Sequence, residues 1–292
     1  FFKQKTAYEI YQCDWSSDVC SSDLVTGNAY LGAGDDIVKL GDDAKWIGNI
    51  DYGTGAATLT MAGNSRFTGT MILNGQAGTL RLADNSRWLG TVTGGSQLAV
   101  TVNGGTFGAN AATTTTIGSL NVGANGTLRV YVDGAAGTSS RLIADTATFA
   151  SGAKVSATVS SLSKAEGTFT VLSAGTLTGA ATIDASQLNM PVLYNGTLAA
   201  VGNDLQLTIA RKTAAQLGLN GAQSAAYSAI IANALENTGL QTSLLQVADT
   251  ATLQGQFAQM LPEYSGGTFD IITRGARLAA RHIDDDSSIY TI

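Results

Sequence analysis

Few side chains in this 292-residue sequence could carry out chemistry. There is one histidine, His282, which excludes any mechanism that needs two, and there is no nucleophile elbow, HExxH or paired-cysteine metal spacing. Carboxylates remain. The stretch GAGDDIVKLGDD (32–43) sets Asp35, Asp36, Asp42 and Asp43 beside glycines, where their hard oxygens could meet calcium. The pattern does not recur at nine residues, and the matching later positions hold Asn64 and Asn85, so turn formation is the simpler role for these aspartates. Arg274, Arg277 and Arg281 fall three and four residues apart, on one face of a helix expected over 268–285. Taken alone, they read as a solvated stripe.

Composition narrows the classes further. Lys and Arg total 16 against 22 Asp and Glu, a net charge of −6, which argues against a nucleic-acid partner. Charged residues make up 13%, about half the globular norm, while 35 glycines and 44% hydrophobic residues are not the composition of a disordered acidic tail. No apolar run reaches the roughly 20 residues of a membrane helix.

Residues 1–24, FFKQKTAYEIYQCDWSSDVCSSDL, are compositionally foreign to the rest and hold both cysteines, Cys13 and Cys20. They resemble a translated sequencing-library adapter, which implies an artefactual segment with no fold of its own. Residues 25–292 contain no cysteine.

Beyond that segment the chain repeats every 21 residues. Trp46, Phe67 and Trp88 keep this spacing, as do Gly27, Gly48, Gly69 and Gly90, and Asp43, Asn64 and Asn85. Val38, Leu59 and Leu80 also keep it, with Leu40, Met61 and Leu82 two places on. Alternation of apolar and polar residues around these positions is the period of a strand. An outward aromatic column could be a sugar-stacking platform, but its period-two relation to Met71 places it inside. A unit this short, with strands and no helical period, predicts a mainly β protein: a right-handed parallel β-helix of the pectin-lyase-like kind over 25–112. Each coil buries its apolar face only against its neighbours.

From about Thr113 the period is lost while strand character continues, as in SLNVGANGTLRVYVDG (119–134) and GNDLQLTIAR (202–211). Past Ala214, QSAAYSAIIANALENTG (223–239) predicts a helix ending at Gly239. ADTATLQGQFAQMLPEYSGG (248–267) predicts a second helix, stopped by Pro262.

This order of parts resembles the C-terminal passenger region of a type V autotransporter, the self-secreting outer-membrane proteins of Gram-negative bacteria. The likeness rests on the glycine-rich coils, on residues 119–159, which look like an autochaperone domain, and on LQGQFAQMLPEYSGGTFDIITRGARLAARHIDD (253–285), which is similar to the segment entering the translocator barrel. It implies an autochaperone-like β cap over 113–212 and a helical linker over 213–292, with Arg274, Arg277 and Arg281 facing a barrel lumen. It also implies a cell-surface passenger with no enzyme activity and no cofactor. Its partners would be its own barrel, the outer-membrane assembly machinery and an unidentified surface ligand. Barrel and signal peptide are both missing, so the expectation is a gene fragment clipped at both ends. Two other classes remain open: a secreted β-helix polysaccharide lyase, although no coil clusters several acids with an arginine, and a calcium-dependent β-solenoid adhesin.

Overall fold

The computed structural model describes residues 19–21, 24–180, 183 and 188–261. Its strands in chain order are β1 (Val19–Ser21), β2 (Leu24–Thr26), β3 (Ala29–Tyr30), β4 (Asp36–Gly41), β5 (Lys45–Ile47), β6 (Ile50–Asp51), β7 (Ala57–Met61), β8 (Arg66–Ile72), β9 (Gly78–Leu82) and β10 (Arg87–Thr93). There follow β11 (Leu98–Val102), β12 (Thr106–Gly108), β13 (Thr114–Val122), β14 (Thr127–Asp133), β15 (Thr138–Ser139), β16 (Arg141–Phe149), β17 (Lys154–Val159), β18 (Gly167–Thr178), β19 (Tyr194–Val201) and β20 (Asp204–Arg211). Three helices close the described chain: α1 (Gly221–Glu236), α2 (Thr238–Leu245) and α3 (Thr250–Met260).

From β7 to β14 successive strands alternate between two sheets. One runs β1-β4-β7-β9-β11-β13-β16-β18-β20-β19 and the other β2-β5-β8-β10-β12-β14, with β17 beyond β14. Pairing is parallel through most of both sheets, so like positions of successive units lie side by side. In the first sheet Val38 pairs with Leu59, Leu59 with Leu80 and Leu80 with Val100, and all four are buried. Leu40, Met61, Leu82, Val102, Val122 and Phe149 form the next inward column. In the second sheet the inward column is Val25, Trp46, Phe67, Trp88, Phe107, Leu128 and Val155. The rings of Phe67 and Trp88 stack at 5.9 Å and those of Trp88 and Phe107 at 4.8 Å. Such ring pairs add about 0.5–1.5 kcal/mol each beyond burial.

Four corners from the first sheet to the second share one recurring turn. Asp42, Gly63, Asp84 and Gly105 all take positive φ there, at +45°, +64°, +56° and +71°. Aspartate tolerates this left-handed conformation better than most residues, which explains why it alternates with glycine. Polar side chains stitch the corners along the stack. Asn64 donates to Asp43 Oδ1 at 3.0 Å and Asn85 to Asn64 Oδ1 at 3.4 Å.

Three observations bear on the expected organisation of the chain. Val19–Ser21 and Leu24 lie within the segment read as having no fold, yet β1 pairs in parallel with Lys39–Gly41 of β4, and Leu24 pairs with Lys45. Main-chain hydrogen bonding asks only for an extended segment, so the open end of a ladder accepts a sequence that shares none of its side-chain pattern. Nor is there a break at 112/113: Ala99–Val102 of β11 pair in parallel with Ser119–Val122 of β13. The period lengthens because residues are added at corners, as around β15, while the rungs stay paired. Finally, Gly239 does not end a helix. Asn237 is both the last cap of α1 and the first cap of α2, its side chain accepting from the Leu240 N–H, and Gly239 sits inside α2.

Candidate functional site

The parallel stack changes character at one end, and this end is the candidate site for a folding role. After β18 the pairing turns antiparallel, β18 to β20 and β20 to β19. In the second sheet β17 is the last full strand; beyond it Asn189 bridges to Ser156 and accepts from the Ala157 N–H at 2.8 Å. The parallel ladder thus ends differently in the two sheets, in an antiparallel pair in the first and in a single bridge in the second.

The helices complete the closure. Asn220 opens α1 with a capping box, its side chain accepting from Gln223 N while the Gln223 side chain accepts from Asn220 N. Gln241 of α2 reaches the corner before β18, its Oε1 accepting from Leu162 N at 3.3 Å. Tyr227 donates to the Lys212 carbonyl at 2.7 Å, and its ring stacks on Phe257 of α3. Leu217, Ile230, Ile231, Ala234, Leu244, Leu253 and Phe257 are buried and continuous with the interior of the sheets. The region expected as a linker is therefore packed over residues 217–257.

One ion pair marks the junction. Arg211, at the end of β20, meets Glu166 at 2.9 Å and also donates to the Leu162 carbonyl at 3.1 Å. Burial pushes the phenols of Tyr194 and Tyr227 upward, opposed by Arg211 and reinforced by Glu166. At α3, Asp249 accepts from the Thr252 N–H and hydroxyl, both at 2.8 Å, and these bonds hold its carboxyl below the usual aspartate value. Because the folded value is the lower one, the stabilisation is complete above the unfolded pKa and lost as pH falls through the folded one. Melting temperatures measured between pH 6 and pH 3 are expected to fall more for the native chain than for Asp249→Asn, which caps without titrating.

Two of the aspartates considered for calcium accept hydrogen bonds within the fold, and a third stands at a turn. Asp35 accepts from the Ala56 N–H at 2.8 Å, Asp43 from the Asn64 side chain, and Asp42 occupies the left-handed turn position. Among the described residues no three His, Cys, Asp or Glu side chains converge on a point. Arg274, Arg277, Arg281 and Pro262 lie outside the described residues. Leu261, just before that proline, has already left the helix for φ −81°, ψ 145°, the extended region that a following proline favours.

A second feature was not anticipated. A groove of about 810 Å³ runs between the outer surface of the second sheet and the segment carrying Asn189, Met190 and Pro191 together with the end of α2. Arg87, Arg129 and Lys154 line it, and Asp84 is the one carboxylate among the described residues of its lining. Lys45, Arg66 and Arg87 do keep the 21-residue spacing, one place before each aromatic, and that was the legible trace of this surface. No family model, curated protein or solved structure matches the chain.

Proposed function

We propose that the chain is a passenger segment of a type V autotransporter, a right-handed parallel β-helix whose C-terminal block templates folding outside the cell. The observation that carries this reading is the asymmetry of the stack. At one end the parallel rungs give way to the β18–β20–β19 antiparallel closure and a packed helical cover. Towards the other, like rungs repeat with Val38, Leu59 and Leu80 in register.

A chain leaving through a narrow pore emerges unfolded and must fold where there is no ATP. If the C-terminal block emerges early and resists opening, each following coil gains a finished edge to pair with, and the nucleation step is made once. The absence of cysteine over 25–292 suits such transit, since an early disulfide would obstruct the pore. In this reading the partners are a barrel on the same polypeptide and the outer-membrane assembly machinery, and the coils end up on the surface of a Gram-negative cell.

The test is deletion of residues 160–261 followed by limited proteolysis of what remains. We expect the fragment through Val159 to be digested at least about tenfold faster than the same residues in the full chain. Unchanged resistance would remove the template role.

A further inference from the structure

We infer that the outer surface of the second sheet binds an anionic polysaccharide, with Arg87, Arg129 and Lys154 taking its sulfate or carboxylate groups. This assignment stands apart from the export reading, since it concerns a surface and not how the chain reached its location.

The first observation is alignment. On the outward side of this sheet Lys45 pairs with Arg66, Arg66 with Arg87, Arg87 with Thr106, Thr106 with Thr127, and Thr127 with Lys154. Arg129 stands in the adjoining outward column, opposite Gly108 on one side and Ser156 on the other. Neighbouring strands lie about 4.8 Å apart. The cations therefore form a line of roughly 24 Å along the stack, a track for a linear ligand and too long for a single small ion.

The second is the lack of compensation. None of these five cations makes an ion pair with a carboxylate among the described residues, although the chain as a whole carries net charge −6. Asp84, on the rim, uses Oδ2 to accept from the Gly63 N–H at 2.9 Å. Arg87 Nε is buried and has no hydrogen-bond partner. Arg129 gives Nε and Nη2 to the Thr158 hydroxyl at 3.0 and 2.9 Å, a neutral acceptor. The two guanidiniums repel one another, and partial burial together with Arg87 lowers the pKa of Arg129. A bound anion would relieve both costs at once.

The third is the chemistry of the walls. Thr106, Thr127, Ser156, Thr158 and Asn125 surround the cations with hydroxyl and amide groups, while Met190, Pro191 and Leu245 give one apolar side. That combination suits a ligand bearing hydroxyls, ring C–H faces and spaced anions. Among the described residues no aromatic side chain lines the groove, and stacking on aromatic rings is the usual device for single-stranded nucleic acid.

The experiment is titration of the full chain, at low and at physiological salt, with four polymers: heparin oligosaccharides, polygalacturonate, dextran and single-stranded DNA of matched charge. The first two separate a sulfated from a carboxylated source. Binding to at least one of them, weakened by salt and absent with dextran, is expected. Arg87→Gln with Arg129→Gln should weaken it by about tenfold or more. Lys39→Gln with Arg81→Gln, on the outward side of the first sheet, should leave it unchanged. The groove variant should melt no lower than the native chain, since it removes a repulsion, and the melt separates lost binding from lost folding. Equal losses in both double variants, no binding to either acidic polysaccharide, or tighter binding of the DNA would overturn the inference.

Discussion

Trp88→Ala is expected to lower the unfolding free energy by about 3–5 kcal/mol. Trp88 is 1% exposed and lies between Phe67 and Phe107, so its loss opens a cavity and breaks both ring contacts. Neighbouring units rest on each other and on little else, so the damage should pass to the rungs on either side. Trp88→Phe is the informative comparison. It keeps a ring in the column and removes an indole N–H that is buried without a hydrogen-bond partner. It should cost no more than about 1 kcal/mol. Urea denaturation of both variants decides the matter: similar losses would mean that the column is not the stabilising element.

Gly69→Ala should cost more than about 4 kcal/mol, an unusual penalty for adding one methyl group. Gly69 adopts φ +155°, and a Cβ built there would collide with the carbonyl oxygen of Gly48 in the preceding unit. The nearest atoms are all main chain of Gly48, so no side chain can swing away to make room. Gly27 provides the control, with φ +134° but nothing within 4 Å of a Cβ, so Gly27→Ala should show only conformational strain, about 1–3 kcal/mol. The difference between the two midpoints measures how closely successive units approach. Equal penalties would show that strain alone sets the cost.

The 21-residue spacing made much of this architecture legible. It named the residues that pair, and alternation within each unit assigned Leu59, Leu80 and Phe67 to the interior before any coordinates. Legibility ended where residues were added at corners. Thr127 and Lys154 pair as neighbours although 27 residues separate them, because the insertion around β15 lengthens the path and not the rung. A fixed period cannot follow such a detour. The helix over 238–245 escaped for a different reason: Gly239 offered a plausible stop, while the Asn237 side chain could close one helix and open another. The groove was hidden in part. Arg129 and Lys154 share no spacing with Arg87, and only folding, together with the segment around Asn189 and the end of α2, brings the three to one surface.

The direction of the inter-strand hydrogen bonds has a mechanical consequence. Where the pairing is parallel, these bonds point from rung to rung along the stack. Tension applied between the two ends would load them in series, so the weakest rung would part first and the rest would follow one by one. A push from the side would meet the strands across their covalent backbones. Strands paired in this way separate one rung at a time under tension, from the end inwards.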